Sequence, residues 1–113
     1  MIIDFKDIEE QVQPNFKGGE KACRVKAHVD GQNRIMRNVL EPGASIGYHS
    51  HERNSEVIYI LSGQGHILFD NDIEEDVAAG QVFYCPMGHS HNLVNDGTCN
   101  LEFIAIVGEH HCP

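Results

Sequence analysis

The stretch from Gly43 to Gly63, GASIGYHSHERNSEVIYILSG, constrains the fold of this chain more than any other. Its centre is His49-Ser50-His51, followed by Glu56. Successive side chains of a strand alternate between its faces, so two histidines at i and i+2 look the same way. Arg53-Asn54 supplies turn-type residues, and Glu56 can rejoin that face from the next strand. Two imidazoles and a carboxylate converging on one side are three of the ligands that a divalent transition metal accepts. The run Val57-Ile58-Tyr59-Ile60-Leu61 is apolar at both parities, which predicts a strand covered on both faces. One face lines the interior and the other meets a partner chain.

The remaining chain agrees with a sheet protein. Residues 22–29 alternate Cys23, Val25, Ala27 and Val29 with Arg24, Lys26 and His28, the signature of a strand with one wet face. Asp30-Gly31 turns the chain back into Arg34 to Leu40, where Arg37 and Asn38 fall on opposite faces and Arg37 is expected in solvent. Further turn signals stand at Gly63-Gln64-Gly65, Asp70-Asn71-Asp72, Ala78-Ala79-Gly80, Pro86-Met87-Gly88 and Asn95-Asp96-Gly97. Many short strands separated by such signals, with no helix between them, point to an all-β sandwich or barrel. Ahead of them, residues 4–13 predict a short helix. Asp4 caps it, Asp7 completes a weak capping box, Ile3 and Ile8 form a staple, Phe5, Ile8 and Val12 share a face, and Pro14 stops it. The expected organisation is therefore a helix and loop over 1–21 packed on the outside, a barrel over 22–108, and a frayed tail over 109–113.

A second stretch, GQVFYCPMGHSHNLVN at residues 80–95, completes the pattern. Gly80, Pro86, Gly88, His91 and Asn95 fall at the fixed positions of the second motif of the cupin family. Gly43, His49, His51, Glu56 and Gly63 likewise resemble its first motif, and sixteen residues (64–79) separate the two. The resemblance covers about residues 34–107. It implies a double-stranded β-helix, the jelly-roll barrel, with His49, His51, Glu56 and His91 as metal ligands facing inward. Three neutral imidazoles and one carboxylate leave a divalent ion with a formal charge of about +1, which favours an anionic ligand. The donor set suits iron, manganese, nickel, copper or zinc.

The other candidates are weaker. His89 makes a second His-x-His with His91 but matches no ligand position, so it is expected at the pocket rim. Tyr84 and Glu102 join it as candidates for a supporting acid or base. His66 reads as a sheet residue or pocket wall, His28 as a wet-face residue, and His110, His111 and Cys112 as part of the tail.

Composition narrows the functions. Eight Lys plus Arg against seventeen Asp plus Glu give a net charge of −9, which speaks against nucleic acid or an anionic membrane as partner. Cys23, Cys85, Cys99 and Cys112 are scattered, without a Cys-x-x-Cys pair, and are expected to be buried free thiols of a cytoplasmic protein. No apolar run is long enough to span a membrane as a helix. Family resemblance implies a metal-dependent decarboxylase, dioxygenase, isomerase or lyase acting on a small anion. A non-catalytic module that binds a metal or small metabolite is the alternative. A homodimer is the family expectation.

Overall fold

The computed structural model describes residues 1–110. Its strands are Gln11–Pro14 (β1), Ala22–Val29 (β2), Asn33–Leu40 (β3), Ser45–Ser50 (β4), Asn54–Ser62 (β5), Gln64–Phe69 (β6), Ile73–Ala78 (β7), Val82–Cys85 (β8), Ser90–Val94 (β9) and Leu101–Glu109 (β10). They form two antiparallel sheets packed face to face. One has the order β1-β2-β3-β10-β5-β8, and the other has the order β4-β9-β6-β7. The chain crosses between sheets at β3–β4, β4–β5 and β5–β6, so consecutive strands sit on opposite walls of one barrel, the double-stranded β-helix. Among the described residues no helix is long and apolar enough to cross a membrane.

The alternation seen in the sequence becomes the core. Ile58 and Ile60 of β5 and Leu101, Phe103 and Ala105 of β10 are fully buried, facing Ile67 and Leu93 of the other sheet. Each such large side chain contributes about 1.5–3 kcal/mol on burial. On the outer face of the six-stranded sheet, Val57, Tyr59, Val82, Tyr84 and Ile106 are exposed. The registers Val57↔Tyr84, Tyr59↔Val82 and Ile106↔Val57 make them neighbours in one apolar patch.

Asn95, fully buried just after β9, ties the end of β3 to the loops before β4 and before β10. Its Nδ2 donates to the carbonyls of Leu40 at 2.8 Å and Cys99 at 2.9 Å, and its Oδ1 accepts from Gly97 N. Its backbone N–H donates to Ala44 O, and its own carbonyl accepts from Gly43 N. A buried amide with donors and acceptors all engaged is the condition under which a polar core residue stabilises rather than costs.

Three expectations need correction. The helix over 4–13 reduces to a 3₁₀ turn, Phe5–Asp7, capped by Asp4 accepting from Lys6 N. Ile8 is already extended, and Gln11–Pro14 pairs with β2 as an edge strand. A helix this short is marginal in water, whereas the open edge of β2 offers unpaired backbone groups, and Pro14 is tolerated at an edge. Glu109 and His110, expected in a frayed tail, are held: β10 runs to Glu109, and His110 N donates to Arg53 O at 2.8 Å. His111 and Cys112 lie outside the described residues. Finally, Cys23 and Cys85 are buried free thiols as expected, but Cys99 is exposed.

The leader does more than decorate the barrel. A second 3₁₀ turn, Phe16–Gly18, lies across β4, with Asn15 and Lys17 in left-handed conformation. The two backbones touch without side chains between them. A Cβ on Gly47 would meet Lys17 O at 1.9 Å, and one on Gly19 would meet Ser45 O at 2.0 Å. Ser45 N donates to Glu20 O, and Glu20 N donates to Ser45 Oγ at 2.8 Å. A Gly47→Ala variant should accordingly lose about 1–3 kcal/mol of stability, the cost of forced overpacking. Urea denaturation measures it, and an unchanged midpoint would mean that the leader is not seated on β4.

Candidate metal centre

Strand β4 reaches the interior through a bulge. Its register with β9 runs Ser45↔Val94 and Ile46↔Leu93, then resumes at His49↔His91, leaving one extra residue on β4. Ile46 points inward and is buried, so strict alternation would send Tyr48 and Ser50 into the core. The extra residue reverses the parity. Tyr48 and Ser50 face outward, while His49 is largely covered and His51 is buried. His91 lies directly opposite His49 on β9 and is fully buried. Glu56 comes from β5, in the other sheet.

These four residues converge. Glu56 Oε1 lies 2.7 Å from His91 Nε2, 3.2 Å from His51 Nε2 and 3.9 Å from His49 Nε2. The Nε2 atoms of His51 and His91 are 3.1 Å apart, and one donor atom from each residue falls within 4.8 Å of all the others. Donors about 2.0–2.2 Å from one ion stand about 3–3.5 Å from each other, so the spacing fits a common divalent cation.

The outer ring nitrogens point to the same use. His49 Nδ1 lies 2.7 Å from the carbonyl of Gly47, which can only accept, so Nδ1 carries the proton. His51 Nδ1 donates in the same way to Asn54 Oδ1 at 2.5 Å. In a neutral ring, each of these bonds leaves Nε2 as a lone pair aimed at the other donors and at the carboxylate. Lone pairs gathered around a buried carboxylate repel unless a cation or extra protons sit among them. His91 Nδ1, buried and without a hydrogen-bond partner among the described residues, is the exception to this outer ring.

Without a metal, protons take up part of that role. Burial pushes the Glu56 carboxyl upward, but hydrogen bonds from His51 and His91 outweigh it and hold it at about 2. The bond to Glu56 raises His51, whereas burial lowers His49.

His49, His51 and Glu56 line a cavity of about 110 Å³, with His91 fully buried against Glu56. Arg34, Met36 and Asn38 of β3 form one wall, Val107 and Glu109 of β10 another, and Phe16 and Lys17 of the leader its mouth. The supporting candidates from the sequence lie elsewhere. His89 is outside the cavity lining, stacked on Phe69 and bonded through Nδ1 to Asp70 Oδ2 at 2.6 Å. Tyr84 belongs to the outer apolar patch, and Glu102 accepts from Ser62 and pairs with Arg37 on the outer face. Sequence reasoning passed over Asn54, treated only as a turn residue, and saw no chemistry in Phe16 or Lys17. Arg34 carries a usable signal, because it shares strand parity with Asn38, on the face opposite the solvent-facing Arg37.

The comparisons with known proteins agree with this geometry. Residues 36–107 match the family model described as "Cupin domain". An oxalate-binding protein of Thermotoga maritima is 32% identical over 113 residues, covering 95% of this chain and 93% of that one. A crystal structure described as a predicted oxalate decarboxylase of Thermotoga maritima superposes with a TM-score of 0.89 at 29% identity. The match covers 96% of this chain and 99% of the other. The cupin domain of Schizosaccharomyces pombe Cnp3, 12% identical with a TM-score of 0.78, covers 96% of this chain and 74% of its own, and shares the fold.

The depressed Glu56 carboxyl implies a sign for acid stability. Its ionised form stabilises the metal-free fold above its ordinary value of 4.5, and that contribution is lost as pH falls toward about 2. Asp30 and Asp70 are also lowered, mainly by backbone bonds and by the bond to His89 respectively, so they add to the same acid limb. The difference between wild type and Glu56→Gln isolates Glu56. In chelator-treated protein, the urea midpoint of the wild type should fall more steeply between pH 4.5 and 2 than that of the variant. Parallel curves would show that the carboxylate is not held by His51 and His91.

Proposed function

The chain belongs to the cupin family, and on that premise we propose a metal-dependent cupin whose substrate is a small dicarboxylate of the oxalate class. The observation that carries this is the convergence of His49, His51, Glu56 and His91, the first three of which line a small cavity. The name of the Thermotoga maritima relative supports an oxalate-class anion. Size supports it as well: about 110 Å³ is small beside the roughly 300–1,000 Å³ of pockets that take drug-sized ligands.

A divalent ion of iron, manganese, nickel, copper or zinc held by these four residues would supply a Lewis acid for a carboxylate oxygen. The protein residues do the rest. Phe16 and Lys17 narrow the mouth, and Met36, Ile46 and Val107 keep the walls apolar. Decarboxylation of a dicarboxylate breaks a C–C bond, releases CO₂ and leaves an electron pair on carbon that must take a proton. Glu109 is the carboxyl group in the wall besides Glu56, steadied by Asn54 Nδ2 at 3.3 Å. We assign proton delivery to it. The second reading, binding without turnover, is favoured by the same relative being an oxalate-binding protein.

We further propose a homodimer through the outer patch of Val57, Tyr59, Val82, Tyr84 and Ile106, whose exposed apolar surface suits a second copy. The buried free thiols Cys23 and Cys85, each pushed up to about 12 by burial, suit a cytoplasmic setting.

Elemental mass spectrometry of tag-free protein purified without chelators tests the centre. About one transition-metal ion per chain is expected, lost in His49→Ala and His91→Ala. It should also be released below about pH 6, because ligand imidazoles must be neutral. Protein that binds no metal even after reconstitution would refute the reading. Given oxalate, the loaded protein should yield equal amounts of formate and CO₂. Glu109→Gln should bind oxalate and lose most turnover, and binding without product selects the second reading. Tyr59→Lys should shift the light-scattering mass to that of one chain.

A further inference from the structure

We propose that Arg34 and Asn38 anchor the far carboxylate of a two- or three-carbon dicarboxylate, and so select dicarboxylates over monocarboxylates. This rests on the metal-centred anion site proposed above and names the residues that give it selectivity.

Both side chains line the cavity above the metal donors and are short of partners. Asn38 is 2% exposed, yet its Oδ1 has no hydrogen-bond partner. Arg34 Nε is likewise buried without one, and among the described residues no carboxylate pairs with this guanidinium. Unmet polar groups of this kind cost free energy, and the unmet Arg34 N–H donor can be satisfied by an acceptor in the cavity. The strand explains the juxtaposition: Arg34, Met36 and Asn38 share the inward parity of β3.

The chemistry selects an anion. A guanidinium offers a planar fork of N–H donors that matches a carboxylate bidentately. The Asn38 amide can turn its NH₂ toward the same oxygen, since the two orientations fill the same envelope. Lys17 at the mouth adds a second positive charge, with its ammonium 5.6 Å from the Phe16 ring centroid. Glu109 opposes them from β10 but is already engaged by Asn54. One end of the ligand thus faces the donors His49, His51 and Glu56 and the other faces a cationic wall. A monocarboxylate has nothing for that wall.

Isothermal titration of metal-loaded protein with oxalate, malonate and formate tests this, with metal content and thermal midpoint measured on every sample. Arg34→Gln should weaken oxalate and malonate about ten- to a hundredfold, the loss of charge-assisted hydrogen bonds. Formate affinity and metal stoichiometry should not change. Asn38→Ser should weaken the dicarboxylates alone, by a smaller factor. If Arg34→Gln misfolds, Arg34→Lys, which keeps the charge and loses the fork, carries the same expectation. Unchanged oxalate affinity, or formate weakened as much as oxalate, would overturn the anchor while leaving the metal-centred reading intact. Wild-type protein that holds its metal and binds no dicarboxylate would overturn both.

Discussion

The structure turns on a single electrostatic problem, four donor atoms from two sheets pressed together in a buried space. His49, His51 and His91 approach from the β4–β9 side and Glu56 from β5, with Oε1 within 4 Å of all three Nε2 atoms. Such a cluster is unfavourable in isolation, because lone pairs and a carboxylate lose hydration without gaining donors. It persists because the barrel closes around it, and because a cation or shared protons satisfy it. The site is therefore also a joint between the sheets. Whatever occupies it stabilises the packed arrangement of both, by the ordinary linkage of a ligand that binds only the folded state.

Holding that joint requires β4 to break its own alternation. The extra residue before His49 costs part of the ladder with β9, and Gly47 stands at that point. The leader then crosses there, backbone against backbone, where any Cβ on Gly47 would collide with Lys17. One glycine thus serves the bulge and the docking of the strap, and the strap places Phe16 and Lys17 over the cavity. The ligand geometry and the cavity mouth consequently depend on the same few backbone atoms. A change in the leader should be felt at the metal centre even though no leader side chain belongs to it.

The sequence made some of this legible, and the reason differs element by element. Alternation and turn residues exposed the strands from Ala22 onward, because strand burial repeats every two residues. The four donors were legible because donor chemistry and turn glycines fall at fixed spacings. Gly63 and Gly88 do take up left-handed φ values of 87° and 89°. The helix over 4–13 failed for a tertiary reason: three apolar residues suffice for a helical pattern but not for a helix beside an open sheet edge. Asn54 was invisible as a partner of His51, because a turn residue and an imidazole acceptor look the same in sequence. The supporting roles assigned to His89, Tyr84 and Glu102 rested on nearness along the chain or along a strand. None of the three lines the cavity.

The charge distribution carries the last step. A chain with a net charge of −9 places Arg34 and Lys17 at the cavity lined by the donors His49, His51 and Glu56. An acidic surface repels anions at long range, but salt screens that repulsion beyond about 8 Å. Inside the cavity two cationic side chains and the net positive charge of a loaded metal act at short range and lower dielectric, where each interaction is several times stronger. On the proposed reading, the surface disfavours nonspecific attachment to nucleic acid and anionic lipid, while the interior favours a small anion. On that reading dimensions bear on selectivity as much as charge does, because Phe16 and Lys17 of the leader line the same cavity of about 110 Å³ as Arg34.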